Sequence, residues 1–241
     1  SAADGFEPKT LVVGDSVAFT ISRILFPEAA SLKLQGGDWT LNGCGLTPVA
    51  TAVLEGVPRP LDVLCRNIDQ QWTDATARIK PDVTVALFSI WDEIDQQING
   101  HWYRFGTAKD DAYLSGRLDR MIAIVSARGG KVLLLTAPYT KRTESADTGR
   151  KWESDDPKRV DHMNQLIRAA VARHPGVAQI GDLNKLLAPK GVYQETVNGK
   201  AWNYDGVHFN DYGGQVVSKW VAQQVHKIVV PPVTTTAPPK N

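Results

Sequence analysis

"LVVGDSVAFTISRIL", residues 11–25, is an apolar strand that runs through Gly14-Asp15-Ser16 into a helical pattern. Aspartate and serine both satisfy free N–H groups at a helix start, so either side chain suits a cap. The lip of a sheet, where a strand hands over to a helix, equally suits a nucleophilic serine. The choice depends on what the rest of the chain brings to Ser16.

The same alternation continues outward. Short apolar runs rich in branched residues recur at 10–14, 83–88, 131–136 and 177–180, with a weaker one at 31–35 or 39–42. Between them lie helical patterns at 61–80, 112–128, 157–174 and 212–229. Strands that are apolar almost throughout, alternating with helices, predict an α/β domain with a five-stranded parallel sheet covered on both faces. The domain spans 11–229. Residues 1–10 read as an N-terminal extension or cloning remnant, without the basic flank and apolar stretch of a signal peptide. Residues 230–241, "VPPVTTTAPPKN", predict an extended, disordered Pro/Thr tail.

Charge excludes some partners. With 27 basic and 26 acidic residues in 241, the net charge of +1 gives no electrostatic footprint for nucleic acid or an anionic membrane surface. No apolar run reaches the roughly 18 residues of a spanning helix. The first strand–helix turn lacks G-x-G-x-x-G and G-K-[ST], which removes nucleotide binding. A loose G-x-S-x-[GA] match at 14–18 points to an α/β-hydrolase elbow, but that fold places several strands before its nucleophile.

Two cysteines, Cys44 and Cys65, enclose a segment with three prolines that reads as a loop. Two buried thiols and a disulfide both fit; the poorly tethered segment favours the disulfide, and with it an oxidising, extracytoplasmic setting. Neither has metal-ligand spacing to another cysteine or a histidine.

In an open parallel sheet, chemistry gathers at the carboxyl ends of the strands. Ser16 follows the first strand, Trp91, Asp92 and Glu93 follow the third, and Tyr139 follows the fourth. The loop before the last helix carries "YDGVHFN", residues 204–210. A serine nucleophile needs a base, and that base an orienting carboxylate. Asp205, three positions before His208, suits a tight turn that holds one imidazole nitrogen and leaves the other for Ser16. His101, His162, His174 and His226 have no such aspartate near a strand end; Asp161 and His162 adjoin, but inside a helix.

G-D-S at the first strand–helix junction and D-x-x-H before the C-terminal helix together resemble the SGNH/GDSL hydrolases, over about residues 11–229. "VVGDSVA", "NGCGL", "LFSIWDEID", "LLLTAPY" and "YDGVHFN" are most similar to SGNH domains fused to bacterial membrane acyltransferases of acyltransferase family 3. The resemblance implies a three-layer flavodoxin-like fold and a triad of Ser16, His208 and Asp205 that needs no cofactor. It implies an oxyanion hole from the Ser16 N–H, a glycine that is Gly43 or Gly45, and an asparagine. Trp91 stands about where that asparagine belongs, so its ring N–H replaces the donor or the hole lacks one. The implied role is acyl transfer on bacterial envelope glycans at the extracytoplasmic face of the membrane, with an acyl donor, a glycan acceptor and a membrane acyltransferase domain as partners. A carbohydrate esterase and a non-catalytic glycan-binding module are the alternatives. Trp91 and Tyr139 either stack on sugars or fill the core; Asp92, Glu93 and Asp95 either accept sugar hydroxyls or cap a helix.

Overall fold

A computed structural model describes residues 6–61, 63–146 and 148–229. Residues 1–5 of the expected extension and the expected tail over 230–241 lie outside the described residues. Lys9, one residue before the predicted strand, belongs to the first strand with Thr10.

In chain order, β1 (Lys9–Gly14) leads to α1 (Ser16–Leu25) and β2 (Gln35–Thr40). A hairpin of β3 (Thr51–Leu54) and β4 (Val57–Pro60) precedes a 3-10 turn (Val63–Asn67) and α2 (Ile68–Ile79). After β5 (Val83–Leu87) comes a second hairpin, β6 (Gln96–Ile98) and β7 (His101–Tyr103), and then α3 (Ala108–Ser126). β8 (Lys131–Leu135), α4 (Pro157–Arg173), β9 (Ala178–Gly181) and the short α5 (Leu183–Leu187) follow. A small hairpin of β10 (Thr196–Val197) and β11 (Lys200–Ala201) precedes α6 (Asp211–Val229).

Among the described residues the main sheet has five strands in the order β2-β1-β5-β8-β9, each parallel to its neighbours. Successive side chains point to opposite faces, which sorts the core into two layers. Leu11, Val13, Val132 and Leu134 pack with residues of α2, α3 and α4. Val12, Val85, Leu133 and Leu135 pack with residues of α1, α5 and α6. The chain moves to β2 on one side of β1 and then to β5 on the other. The crevice therefore opens at the carboxyl ends of β1 and β5, where the strand order reverses.

Three local expectations change. The weak strand falls between its two predicted positions, because β2 (QGGDWT) is a half-exposed edge strand without an apolar run. The helical pattern over 61–80 begins as the 3-10 turn and becomes α-helical only at Ile68. The segment between the cysteines is not a loop: β3 and β4 belong to an antiparallel four-stranded sheet, β4-β3-β6-β7. Pro58 and Pro60 lie in β4, an edge strand, where a missing N–H removes few ladder bonds. Both hairpins leave the carboxyl ends of main-sheet strands, so the second sheet stands beside the crevice. No helix among the described residues is long and apolar enough to cross a membrane.

Cys44 and Cys65 are joined in a disulfide, and both are buried. The bridge brackets the β3–β4 hairpin and ties its base to the start of α2. With 21 positions between the two cysteines, loop closure makes it stabilising by about 3 kcal/mol. Denaturant unfolding with and without reductant measures this: the midpoint falls on reduction, and an unchanged midpoint shows that the bridge adds nothing.

Candidate active site

Gly14 turns the chain out of β1 at a φ of +145°, and a Cβ there would lie 1.9 Å from the Leu87 carbonyl oxygen. Glycine is thus the residue that lets β1 end against β5 at full closeness. Asp15 is the N-cap of α1: its carboxylate accepts the Val17 N–H at 2.8 Å. The same carboxylate accepts the Ser89 hydroxyl at 2.8 Å and the Ser89 N–H at 3.2 Å. Burial raises the Asp15 pKa, and these hydrogen bonds partly offset the rise. With Asp15 as the cap, the Ser16 hydroxyl is left for another partner.

That partner is His208. Its Nε2 lies 2.8 Å from Ser16 Oγ, across 192 positions of sequence. Its Nδ1 lies 2.6 Å from Asp205 Oδ2. Asp205 also accepts the N–H groups of Val207 at 2.9 Å and His208 at 2.7 Å, so one carboxylate organises the whole D-G-V-H turn. Gly206 sits in that turn at a φ of +85°, where a Cβ would lie 1.8 Å from the Lys141 carbonyl oxygen. Burial alone would raise the Asp205 pKa, but the bonds from His208 and Val207 outweigh it and hold the carboxyl below its ordinary value. The Tyr204 ring stacks on the imidazole, 5.8 Å between centroids. A hydroxyl so placed can pass its proton to the ring, and the carboxylate can stabilise the imidazolium formed.

The segment carrying Gly43 and Gly45 is held from several sides. Cys44, between them, is anchored by the disulfide. The Leu46 N–H donates to both carboxylate oxygens of Asp92, at 2.9 and 2.7 Å. Arg117 donates two N–H groups to the Leu46 carbonyl, at 3.2 and 3.1 Å, and also pairs with Asp69. Gly45 packs against Asp92 so closely that a Cβ would lie 2.6 Å from its carboxylate oxygen. Ser89 and Arg117 had no signal in the sequence, since neither lies in a local pattern that predicts its partner.

The residues expected after the third and fourth strands divide differently. Asp92 and Glu93, expected either to accept sugar hydroxyls or to cap a helix, are buried at 1% and 0% exposure. Asp92 braces the Gly43–Leu46 segment instead. Burial pushes its pKa up to about 7, with the Asp15 charge adding to the rise against the Leu46 hydrogen bond. Glu93, buried with neither oxygen bonded, is raised well above the ordinary value by burial and by Asp15 and Asp92. Asp95 pairs with Arg104 at 2.9 Å and accepts the Phe105 N–H. Tyr139 is also buried and donates to Asp161 at 2.5 Å, so it presents no face for a sugar. Trp91 packs against the α1–α6 face of the core, and its ring N–H is buried without a partner. Among the described residues, no three His, Cys, Asp or Glu side chains are grouped as metal ligands would be.

A five-stranded parallel sheet of this order, with a serine at the end of its first strand and D-x-x-H before its last helix, is the SGNH hydrolase fold. Within that class, the chain belongs to the SGNH domain (fused to AT3 domains), whose family model matches residues 2–223. Solved structures share the fold at low identity. A GDSL-like lipase from Bacteroides thetaiotaomicron is 13% identical with a TM-score of 0.59, over 91% of this chain and 88% of its own. An acetyl xylan esterase is 18% identical with a TM-score of 0.57, over 90% and 99%. An acetylxylan esterase from Geobacillus stearothermophilus, solved as a catalytic mutant, is 14% identical with a TM-score of 0.52, over 92% and 95%. No curated protein matches the chain in sequence.

The environment of Asp92 sets a pH dependence. Its pKa is higher folded, about 7, than in an exposed carboxyl at 3.8. Folding therefore favours the protonated form; that stabilisation is full below the lower value and is lost as pH rises through the upper one. Its limit is about 4 kcal/mol. Asp92→Asn removes the titration, so wild type should lose stability relative to this variant between pH 4 and pH 8. Parallel denaturation curves across that range would reject the assignment.

Proposed function

We propose that Ser16, His208 and Asp205 act as nucleophile, base and orienter, and that the domain transfers acyl groups to or from hydroxyls of bacterial envelope glycans. The carrying observation is the continuous hydrogen-bonded line from Ser16 Oγ through His208 to Asp205, at 2.8 and 2.6 Å. Ser16 Oγ attacks the acyl carbonyl while its proton passes to His208 Nε2. The tetrahedral intermediate collapses, the departing alcohol takes that proton, and the acyl group remains as an ester of Ser16. A glycan hydroxyl then gives its proton to His208 as its oxygen attacks this ester, and the proton returns to Ser16 as the acylated glycan leaves.

Donors for the oxyanion are the Ser16 N–H in the first turn of α1 and the N–H of Gly43 or Gly45. Transfer is favoured over hydrolysis by membership of a family fused to AT3 domains. The same fusion and the disulfide support a place on the extracytoplasmic side of the membrane, beside a membrane acyltransferase domain. The second reading, a carbohydrate esterase, draws on the acetyl xylan esterases that share the fold; there water takes the place of the glycan hydroxyl.

A fluorophosphonate should add its mass to the protein but not to Ser16→Ala. His208→Ala and Asp205→Asn should slow the labelling about 1000-fold or more. Labelling of His208→Ala at the parent rate would refute the triad. With p-nitrophenyl acetate as donor, the domain should release product slowly and faster when a soluble glycan is added. Rapid release that glycans leave unchanged favours the esterase, and no Ser16-dependent release favours a binding module.

A further inference from the structure

Clefts on this domain differ in how they relate to Ser16. One lies at the amino ends of the strands, by Pro81 and Lys131, and another between α2 and α3, by Thr73 and Arg120. Both are remote from the loops that carry Ser16 and His208. A third, of about 400 Å³, opens directly beside Asp205. Its walls come from two insertions: Glu55 and Arg59 of the β3–β4 hairpin, and Arg142, Glu144 and Trp152 of the segment after β8. From this cleft we infer a saccharide subsite, one that seats a neutral, polyhydroxylated acceptor next to the Asp205–His208–Ser16 line. The inference rests on the glycan reading above and adds where the glycan sits.

The walls are fixed to each other. Glu153 accepts the N–H groups of Glu55 at 2.8 Å and Gly56 at 2.7 Å. Arg150 donates to the Glu55 carbonyl at 3.0 Å, and the Thr148 hydroxyl donates to the Glu55 carboxylate at 3.0 Å. Arg142 donates to Asp155 at 2.8 and 3.0 Å and lies 4.4 Å over the Trp152 ring, whose N–H donates to the Thr143 carbonyl at 3.1 Å. The disulfide closes the base of the hairpin. Together these bonds fix both walls of the cleft in one shape. A site formed before its ligand arrives loses less on binding.

The lining decides the ligand class. Arg59 pairs with Glu55 and Arg142 with Asp155, while Glu144 and Asp205 also line the cleft, so there is no surplus of cations for a phosphate or a sugar acid. The Trp152 ring, Ala146 and the stems of the two arginines add apolar surface between these charged groups, which suits a sugar ring with C–H faces and a hydroxyl rim more than a long acyl chain. A ring of hydroxyls, each both donor and acceptor, matches such a mixture of guanidinium and carboxylate groups. From Asp205, which lines the cleft, Ser16 Oγ is two hydrogen bonds and one imidazole ring away.

The test is a titration of ¹⁵N-labelled Ser16→Ala protein with xylotriose, chitotriose and maltotriose, followed by NMR. At least one of them should shift the Trp152 indole N–H and the backbone signals of Arg59 and Thr143. Arg59→Ala in the same background should raise that Kd about 5-fold or more. No shifts up to tens of millimolar, or shifts confined to other surfaces, overturn the subsite without reliance on any variant. Saturable shifts in the cleft with no glycan-dependent turnover of wild type would uphold the subsite and retire acyl transfer. Transfer to a glycan that leaves the cleft signals unmoved would do the reverse.

Discussion

A single buried carboxylate joins the three elements that make the site possible. Asp15 caps α1 through the Val17 N–H and grips both the N–H and the hydroxyl of Ser89, just after β5. It therefore fixes the start of α1 relative to the two strands that flank the crevice. Ser16, the next residue, inherits that fixed position, and its hydroxyl is free of capping duty. Loss of Asp15 would release the helix start and the end of β5 at once, and the distance from Ser16 to His208 depends on both.

Carboxyl groups of one chemical kind are driven to different states around this crevice. Asp15, Asp92 and Glu93 are enclosed, and burial raises all three; the Asp15 charge adds to the rise at Asp92 and Glu93. Asp205, on the open side, receives three hydrogen bonds from its own turn and is held ionised. Environments that push like groups apart in this way assign them different work. Asp205 faces the imidazole, whereas Asp15 and Asp92 brace backbone behind the serine. Asp92 shows the bracing most directly, through the Leu46 N–H and the close approach of Gly45.

The main sheet was legible because parallel strands buried on both faces leave near-continuous apolar runs, as in 83–88 and 131–136. β2 was blurred because an edge strand of sequence QGGDWT carries no such run. The second sheet was invisible for a related reason: its strands are three or four residues long, and one holds two prolines. Ser16, Asp205 and His208 could be paired from sequence since G-D-S and D-x-x-H each encode their own turn. Asp92 could not be given its partner, because the Leu46 N–H that it holds is 46 positions away, on a segment with no periodicity. The cleft beside Asp205 was hidden likewise, being built where two insertions meet.

The 192 positions between Ser16 and His208 bear on how the protein comes to life. A chain made from its N-terminus finishes β1, α1 and the Asp15 cap long before the turn at 204–210 exists. Until α6 docks on α1, with Ser218 bonded to the Ile21 carbonyl and Arg23 to Asp211, the serine has no imidazole beside it. The hydrogen-bonded line from Ser16 to Asp205 thus closes only after the turn at 204–210 has been made. A chain that stops before that turn would carry the serine in place without its imidazole.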